Sequence, residues 1–136
     1  MFTSKFDTKA KIMIIDDDRD INNLFKIYLE HNGYSVNSYT DSVEALNYFE
    51  KDMYDLIILD LKMRKIDGQT LHKKLREIEE NISICIATAD QYYVQKLKNS
   101  NPDIEKIVIY KPILLEELKK KVEAFLSKHE YNNYFN

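Results

Sequence analysis

Five short apolar runs, separated by longer segments of helical periodicity, constrain the fold of this 136-residue chain more than any other feature. The runs are IMII (12–15), YSVNSY (34–39), LIIL (56–59), SICIA (83–87) and KIVIY (106–110). Four of them are almost continuously apolar, which is typical of parallel strands covered on both faces. The second alternates polar and apolar residues, so we predict that it forms an edge strand.

The segments between the runs carry apolar residues at helical spacing. The positions that mark five predicted helices are Ile21, Leu24, Phe25, Tyr28 and Leu29; Val43, Leu46 and Phe49; Leu71, Leu75 and Ile78; the weakly patterned segment 92–98; and Leu114, Leu115, Leu118, Val122, Phe125 and Leu126. Asn-Gly at 32–33 ends the first helix and Asn-Pro at 101–102 ends the fourth. Asp41 or Ser42 is the predicted N-cap of the second.

This alternation of strands and helices predicts an α/β fold with a doubly wound five-stranded parallel sheet, (βα)5. Right-handed crossovers place helices on both faces of such a sheet. Ligands bind beyond the carboxyl ends of the strands. The residues directly after each strand therefore carry most of the functional information.

Composition excludes several classes of function. The chain has two glycines, Gly33 and Gly68, so it carries neither kind of glycine-rich phosphate loop. A net charge of −3 gives no basic field, and we expect no direct binding of nucleic acid. The single cysteine, Cys85, permits no internal disulfide. Because no apolar stretch resembles a signal peptide or a membrane span, we expect a cytoplasmic protein that does not insert into membranes.

Polar side chains follow four of the five predicted strands. They are Asp16, Asp17 and Asp18 after the first strand, Asp60 after the third, Thr88 after the fourth and Lys111 after the fifth. Each alone also has a structural interpretation, as a helix cap, a turn residue or a surface lysine, and Asp18 or Asp20 fits an N-cap best. Their coincidence at four strand ends favours one shared site.

The run of carboxylates indicates a bound cation. Two adjacent carboxylates repel each other by about 4 kcal/mol at about 4 Å near a protein surface. Mg²⁺ relieves this repulsion and accepts phosphate oxygens in its remaining positions. Asp60, with a cation beside it and Lys111 opposite, then suits a nucleophile that attacks phosphorus and forms an acyl phosphate. Mg²⁺, Lys111 and the Thr88 hydroxyl would stabilise the charge on the transferred group.

With these residues identified, the sequence resembles a response-regulator receiver domain, the phospho-accepting part of a two-component system. The motifs that carry the resemblance are IIDDD with Asp16 and Asp17, LDLKM with Asp60, ATA (87–89) with Thr88, YKP with Lys111, and Gly68 at the family's spacing from the acceptor. The resemblance covers 10–127 and implies the flavodoxin-like strand order 2-1-3-4-5. We expect the tail, 128–136, to be frayed.

The resemblance implies a set of cation ligands. Mg²⁺ would be held by Asp17, Asp60 and the backbone carbonyl of Lys62. Asp16 would bind the ion either directly or through a water molecule.

The resemblance also implies the phosphoryl transfer. A histidine kinase or a phosphotransfer protein would supply the phosphoryl group, and Asp60 would accept it. Thr88 and Lys111 would then bind its oxygens. The bond between Lys111 and Pro112 is expected to be cis, as in the family.

Two positions depart from the family's pattern. The family usually has proline four residues after the acceptor, where this chain has Arg64, and an aromatic residue three before the lysine, where it has Val108. Alternation along the strand places Tyr110 on the same face as Val108. Tyr110 therefore either replaces the missing aromatic residue or packs against the fifth helix.

Charged side chains near the site and the histidines have less specific interpretations. Lys62 and Asp90 occupy positions that control water access in this family. They either pair across the mouth of the site and shield the phosphoryl group, or are simply solvated, and the second interpretation is favoured. His31 and His72 are predicted on polar helix faces, and His129 in the tail. None is a predicted phosphodonor.

Four functions remain to be compared. The first is a stand-alone phosphorylation-dependent switch that is not an enzyme. An unknown downstream protein would recognise its fourth helix, fifth strand and fifth helix. Homodimerisation on phosphorylation stays open. The second is a receiver-like binding module that works without phosphorylation. An aspartate-dependent phosphatase would need an acid where Lys62 lies, and an FMN carrier would need hydroxyls where the carboxylates lie.

Overall fold

The apolar runs form the strands of one parallel sheet. A computed structural model describes residues 9–127 of the protein. Its elements, in chain order, are β1 (Lys11–Ile15), α1 (Arg19–His31), β2 (Ser35–Tyr39), α2 (Ser42–Tyr48), β3 (Leu56–Asp60), α3 (Gly68–Ile78), β4 (Ile84–Thr88), α4 (Gln91–Ser100), a 3₁₀ helix (Pro102–Ile107), β5 (Val108–Tyr110) and α5 (Leu115–Leu126). Within 9–127, none of the helices combines the length and the apolar character that crossing a bilayer requires.

The strand order is β2-β1-β3-β4-β5 and every pairing is parallel, which confirms the predicted fold. β1 lies inside the sheet because Ile12 is opposite Val36 on one side and Leu56 on the other. β3 and β4 are buried along their whole length. β2 alternates exposed Ser35 and Asn37 with buried Val36, as predicted for an edge strand.

Alternation along the central strands divides the core between the two faces of the sheet. Ile12 and Ile14 of β1 pack on the side covered by α1 and α5, together with the buried thiol of Cys85. Met13 and Ile15 pack on the opposite side, against α2 and α3. Burial of one such side chain contributes about 1.5–3 kcal/mol to folding. The two faces together fix β1 and β3 at the centre of the molecule.

Aspartates begin four of the helices. Asp18, Asp41, Asp67 and Asp90 are the N-caps of α1, α2, α3 and α4, and their carboxylates accept hydrogen bonds from first-turn backbone N–H groups. Each cap of this kind stabilises its helix by about 1 kcal/mol. The structure thus selects Asp18 as the cap of α1, and it selects Asp41 over Ser42 as the cap of α2.

The fifth predicted strand is wrong at its beginning. The run KIVIY starts at 106, but β5 comprises only Val108–Tyr110. The preceding residues belong to the 3₁₀ helix, which begins at Pro102. Ile104 and Ile107 are both buried beside α4. Residues three apart lie on one side of a 3₁₀ helix, so both can face α4. The apolar run 106–110 therefore contains the end of that helix and the short strand that follows it.

Two other positions differ from the predicted helices. Phe49 lies just beyond α2 in extended backbone, where its ring is buried and stacks 6.2 Å from the ring of Tyr54. Leu114 precedes α5 and its side chain is exposed. Both residues belong to the apolar pattern, but each has extended backbone dihedrals and lies at the cap position just outside its helix.

His72 is buried, whereas the sequence pattern places it on a polar face of α3. Only 3% of the residue is exposed, and it lines the groove between α3 and α4 with Arg76 and Leu97. Burial and, to a smaller extent, the positive charge of Arg76 lower the pKa of the imidazole from 6.5 to about 3. The weak apolar pattern of α4 gave no indication that this helix would line a groove with this face of α3.

The buried imidazole predicts a pH dependence of stability. Between pH 6.5 and 3 the unfolded chain protonates His72 and the folded chain does not, so the free energy of unfolding falls as the pH falls. From pH 7.5 to 5, wild type should lose about 2 kcal/mol more than His72→Gln, since one pKa unit corresponds to about 1.4 kcal/mol. Urea unfolding followed by circular dichroism measures both slopes. Parallel slopes would contradict the burial of a neutral imidazole.

Candidate functional site

The carboxyl ends of four strands bring the predicted polar residues to one edge of the sheet. Asp16 follows β1, Asp60 ends β3, Thr88 ends β4 and Lys111 follows β5. The ammonium of Lys111 lies 2.7 Å from Asp16 Oδ2 and 3.6 Å from Asp60 Oδ2. The predicted convergence of these side chains is therefore present.

Three carboxylates form the acidic part of the site. Asp16, Asp17 and Asp60 each offer one oxygen, and these oxygens all lie within 4.8 Å of one another. Asp16 and Asp60 are buried, and Asp17 is partly exposed. The third residue of the acidic run, Asp18, turns away to cap α1. The run thus serves two purposes, a cluster of charge and a helix cap.

Buried negative charge changes the titration of the predicted acceptor. The pKa of Asp60 is raised from 3.8 to about 7, mainly by burial and next by the charge of Asp16, and Lys111 offsets only part of this rise. Burial also opposes the charge of Lys111. The hydrogen bond and the charge of Asp16 outweigh that effect, so the pKa of Lys111 lies above its ordinary value. The site therefore has an excess of negative charge.

The donor set fits Mg²⁺. Carboxylate oxygens are its preferred protein ligands, and two ligands on opposite sides of the ion are about 4 Å apart because each Mg–O distance is about 2.1 Å. Oxygens within 4.8 Å need only a small contraction to reach that spacing. A divalent charge would also offset the raised pKa of Asp60, because it favours the ionised carboxylate. Acidic trios of this kind are typical of the Mg²⁺ site in receiver domains.

Thr88 is almost completely buried at the end of β4. Its Oγ1 accepts a hydrogen bond of 3.1 Å from the backbone N–H of Asp90. Asp90, not Thr88, caps α4, because its Oδ1 accepts from the N–H of Tyr93 at 2.8 Å. The interpretation of Thr88 as an N-cap is therefore wrong, and its hydroxyl connects the site to the residue that begins α4.

Gly68 begins α3 where that helix touches the end of β3. A Cβ atom on Gly68 would clash with the carbonyl oxygen of Asp60 and lie 2.5 Å from Leu61 Cα. The N–H of Gly68 donates to the Leu61 carbonyl at 2.9 Å. Glycine at this spacing from Asp60 is therefore required by a backbone contact.

Lys62 and Asp90 form an ion pair of 2.8 Å beside the site. The Lys62 ammonium also lies 5.8 Å from the centre of the Tyr93 ring. The two charges therefore pair, but the Lys62 side chain stays 64% exposed to solvent, and a role of the pair in shielding a phosphoryl group stays a prediction. The pair joins the loop after β3 to the beginning of α4.

The two departures from the family's pattern have different surroundings. Arg64 contacts Asp17, with 3.4 Å between Nε and Oδ2. Val108 and Tyr110 lie on the same face of β5, as predicted, and pack in the cluster beside α4 and not against α5. The Tyr110 hydroxyl donates to Glu105 at 3.3 Å. A switching role for Tyr110 stays a prediction.

One supporting residue escaped the sequence analysis. Asn22 is buried on α1, and its side-chain amide donates to the carbonyls of Asp16 and Tyr39 at 3.0 and 2.8 Å. It thereby fixes the chain directly after β1 and β2. The available signal was a polar residue three positions before Phe25 on the buried face of α1.

The bond between Lys111 and Pro112 is cis, which confirms the isomer predicted from the resemblance.

Residues 12–123 match the family model described as response regulator receiver domain. The chain therefore belongs to the receiver-domain family of response regulators. It is a module of two-component signalling and not an enzyme, and the family implies a cognate histidine kinase. The domain limits at 10 and 127 stay predictions, and the tail, with His129, lies outside the described residues.

Two curated relatives illustrate the similarity. The chain is 32% identical over 122 residues to the transcriptional regulatory protein RprY of Bacteroides fragilis, which covers 90% of this chain and 51% of RprY. It is 30% identical over 119 residues to the response regulator MprA of Mycobacterium bovis, with coverages of 88% and 51%. The chain thus spans about half the length of the curated relatives it matches.

Solved structures show the same fold. A two-component response regulator from Clostridium difficile is 32% identical with a TM-score of 0.76, covering 88% of this chain and 98% of that one. TrrA from Thermotoga maritima, solved in complex with Mg²⁺ and BeF, is 29% identical with a TM-score of 0.74 and coverages of 86% and 99%.

The close contact at Gly68 predicts a specific loss of stability. Gly68→Ala should lower the free energy of unfolding by about 1–3 kcal/mol, because the added methyl group overpacks the contact with β3. Denaturant unfolding measures the change. Gln69→Ala, one residue along the same helix, is the control and should change stability much less. Equal effects of the two substitutions would contradict the steric argument.

Proposed function

We propose that the chain accepts a phosphoryl group on Asp60 from a histidine kinase or a phosphotransfer protein, and that this changes a protein-binding surface. The observation that carries the proposal is the position of Asp60. Its carboxylate lies within 4.8 Å of those of Asp16 and Asp17 and 3.6 Å from the Lys111 ammonium. A cation held by these carboxylates and the Lys111 ammonium would place positive charge around the dianionic group during its transfer.

In the proposed transfer, one Asp60 oxygen attacks the phosphorus of a phosphohistidine. The P–N bond breaks, the imidazole keeps the bonding electrons and takes a proton from solvent, and an acyl phosphate forms on Asp60. The N–H of Lys62 lies 3.3 Å from Asp60 Oδ1 and orients the carboxylate. Lys111 pairs with the incoming phosphoryl oxygens.

The proposed ligands of Mg²⁺ are Asp17, Asp60 and the Lys62 backbone carbonyl, with Asp16 direct or through water. The ion would neutralise charge on the phosphoryl oxygens during transfer. TrrA, a solved relative, was crystallised with Mg²⁺ and BeF, which supports both the metal and the phosphoryl-like ligand.

Thr88 is the proposed link between phosphorylation and the surface. Its oxygen accepts from the N–H of Asp90, the cap of α4, and its hydroxyl proton is available to a phosphoryl oxygen. We expect Thr88 to move toward the phosphoryl group and thereby to shift its contact with Asp90. Switching a population from 1:99 to 99:1 requires about 5.5 kcal/mol. Two or three hydrogen bonds to a charged group, at about 1.5–3 kcal/mol each, reach that magnitude.

The proposed output is a change in the surface of α4, β5 and α5, recognised by a downstream protein or by a second copy of the chain. RprY is named a transcriptional regulatory protein, but this chain matches only about half of it. Its activity is therefore not transferred to this chain. The added phosphoryl group changes the charge at this edge by about −1.5 to −2.

One observation favours the alternative, a binding module that works without phosphorylation. Arg64 contacts Asp17, so a positive side chain already compensates one of the proposed metal ligands. Val108 also replaces the family's aromatic residue. The presence of all five pocket residues, Asp16, Asp17, Asp60, Thr88 and Lys111, argues for phosphorylation instead.

Intact mass after incubation with acetyl phosphate, with and without Mg²⁺, tests the proposal. Wild type should gain one phosphoryl group only with Mg²⁺, and Asp60→Asn should gain none. Asp55→Asn is the matched control, since Asp55 is exposed just before β3 at the opposite edge of the sheet, and it should behave as wild type. If neither acetyl phosphate nor a phosphorylated kinase modifies wild type, the binding module is the better account.

A further inference from the structure

Arg64 makes an unusual pair of contacts with one oxygen of the acidic site. Its backbone N–H donates to Asp17 Oδ2 at 3.2 Å, and its side-chain Nε lies 3.4 Å from the same oxygen. Asp17 is one of the three carboxylates that converge in the site. The guanidinium thus occupies the outer side of a proposed metal ligand.

The loop that carries Arg64 is held in place independently of this side chain. Ser42 is buried; its hydroxyl donates to the Arg64 carbonyl at 3.3 Å and accepts from the Ile66 N–H at 3.1 Å. The Arg64 side chain itself is 84% exposed. Its guanidinium can therefore leave Asp17 for solvent while the backbone stays in position.

We propose that Arg64 competes with Mg²⁺ for Asp17. The guanidinium neutralises Asp17 when the ion is absent, and the ion must displace the guanidinium in order to bind. This rests on the proposed function, because it assumes that Asp17 is a ligand of Mg²⁺. A guanidinium and a divalent ion at one carboxylate oxygen repel each other. Part of the binding free energy of the ion is then spent on breaking the Arg64 contact.

The consequence is a weakened, adjustable affinity for Mg²⁺. Exposed ion pairs contribute little, so the expected effect is modest: removal of the side-chain contact should lower the dissociation constant of Mg²⁺ about two- to fivefold. Arg64 then determines how much free Mg²⁺ the protein needs before Asp60 can be phosphorylated.

Calorimetric titration of wild type and Arg64→Gln with MgCl₂, at fixed ionic strength, measures this effect. The matched control is Lys65→Gln, which removes the same charge from the neighbouring residue. Lys65 pairs with Asp41 at 2.6 Å, and Asp41 is outside the acidic trio. Arg64→Gln should bind Mg²⁺ more tightly than wild type and more tightly than Lys65→Gln.

A spectroscopic measurement follows the displacement directly. The chain has three arginines, Arg19, Arg64 and Arg76, so their side-chain Nε–H signals in nitrogen–proton NMR spectra can be assigned by substitution. The Arg64 signal should shift along the same Mg²⁺ titration curve that calorimetry gives. The Arg76 signal should stay constant, since that side chain bonds to the backbone of Glu80 beyond α3.

The outcomes separate the two proposals. Wild type that binds no Mg²⁺ contradicts the proposed metal site itself. Wild type that binds Mg²⁺ with an affinity unchanged by Arg64→Gln, or changed equally by Lys65→Gln, overturns the competition and leaves the metal site intact. Tighter binding by Arg64→Gln alone, together with the Arg64 shift, supports it.

Discussion

The crowding of three carboxylates at the buried edge of the sheet is the interaction on which the rest of the structure depends. Asp16 and Asp60 lie where water is scarce, so their mutual repulsion is only weakly screened. Lys111 compensates part of this charge from the adjacent strand end. The folded chain therefore holds an excess of negative charge that a divalent cation or a proton must balance. In the proposed function, this loss of stability accompanies the ability to bind a cation and a phosphoryl group.

The fold maintains this arrangement with uncharged contacts behind the carboxylates. Parallel strands deliver the three acids and the lysine to one edge, and the apolar faces of β1 and β3 keep those strands from shifting. Asn22 fixes the chain beyond β1 through two carbonyls. Gly68 lets α3 approach the backbone of Asp60. Thr88 then joins the site to Asp90, the cap of α4.

Local sequence patterns predicted the fold and the central residues of the site, because both depend on short-range information. Apolar runs identify strands, and the residues after them define the edge where ligands bind. The contacts that the sequence did not reveal join segments distant in the chain. Lys62 meets Asp90 and Arg64 meets Asp17 only because separate loops converge beside the strand ends. The groove that His72 lines likewise joins distant segments, since Leu97 and Ser100 of α4 line it from a later part of the chain.

The most direct test is the free energy of unfolding of wild type and Asp60→Asn at pH 8, in chelator and in Mg²⁺. The folded chain holds Asp60 with a pKa of about 7 against 3.8 in the unfolded chain, so above pH 7 the ionised carboxylate destabilises the fold. In chelator, Asp60→Asn should be more stable than wild type by about 1–4 kcal/mol, and Mg²⁺ should stabilise wild type more than the variant. If Asp60→Asn is less stable than wild type in chelator and gains as much stability from Mg²⁺ as wild type does, the ionised Asp60 carboxylate is not the source of the destabilisation.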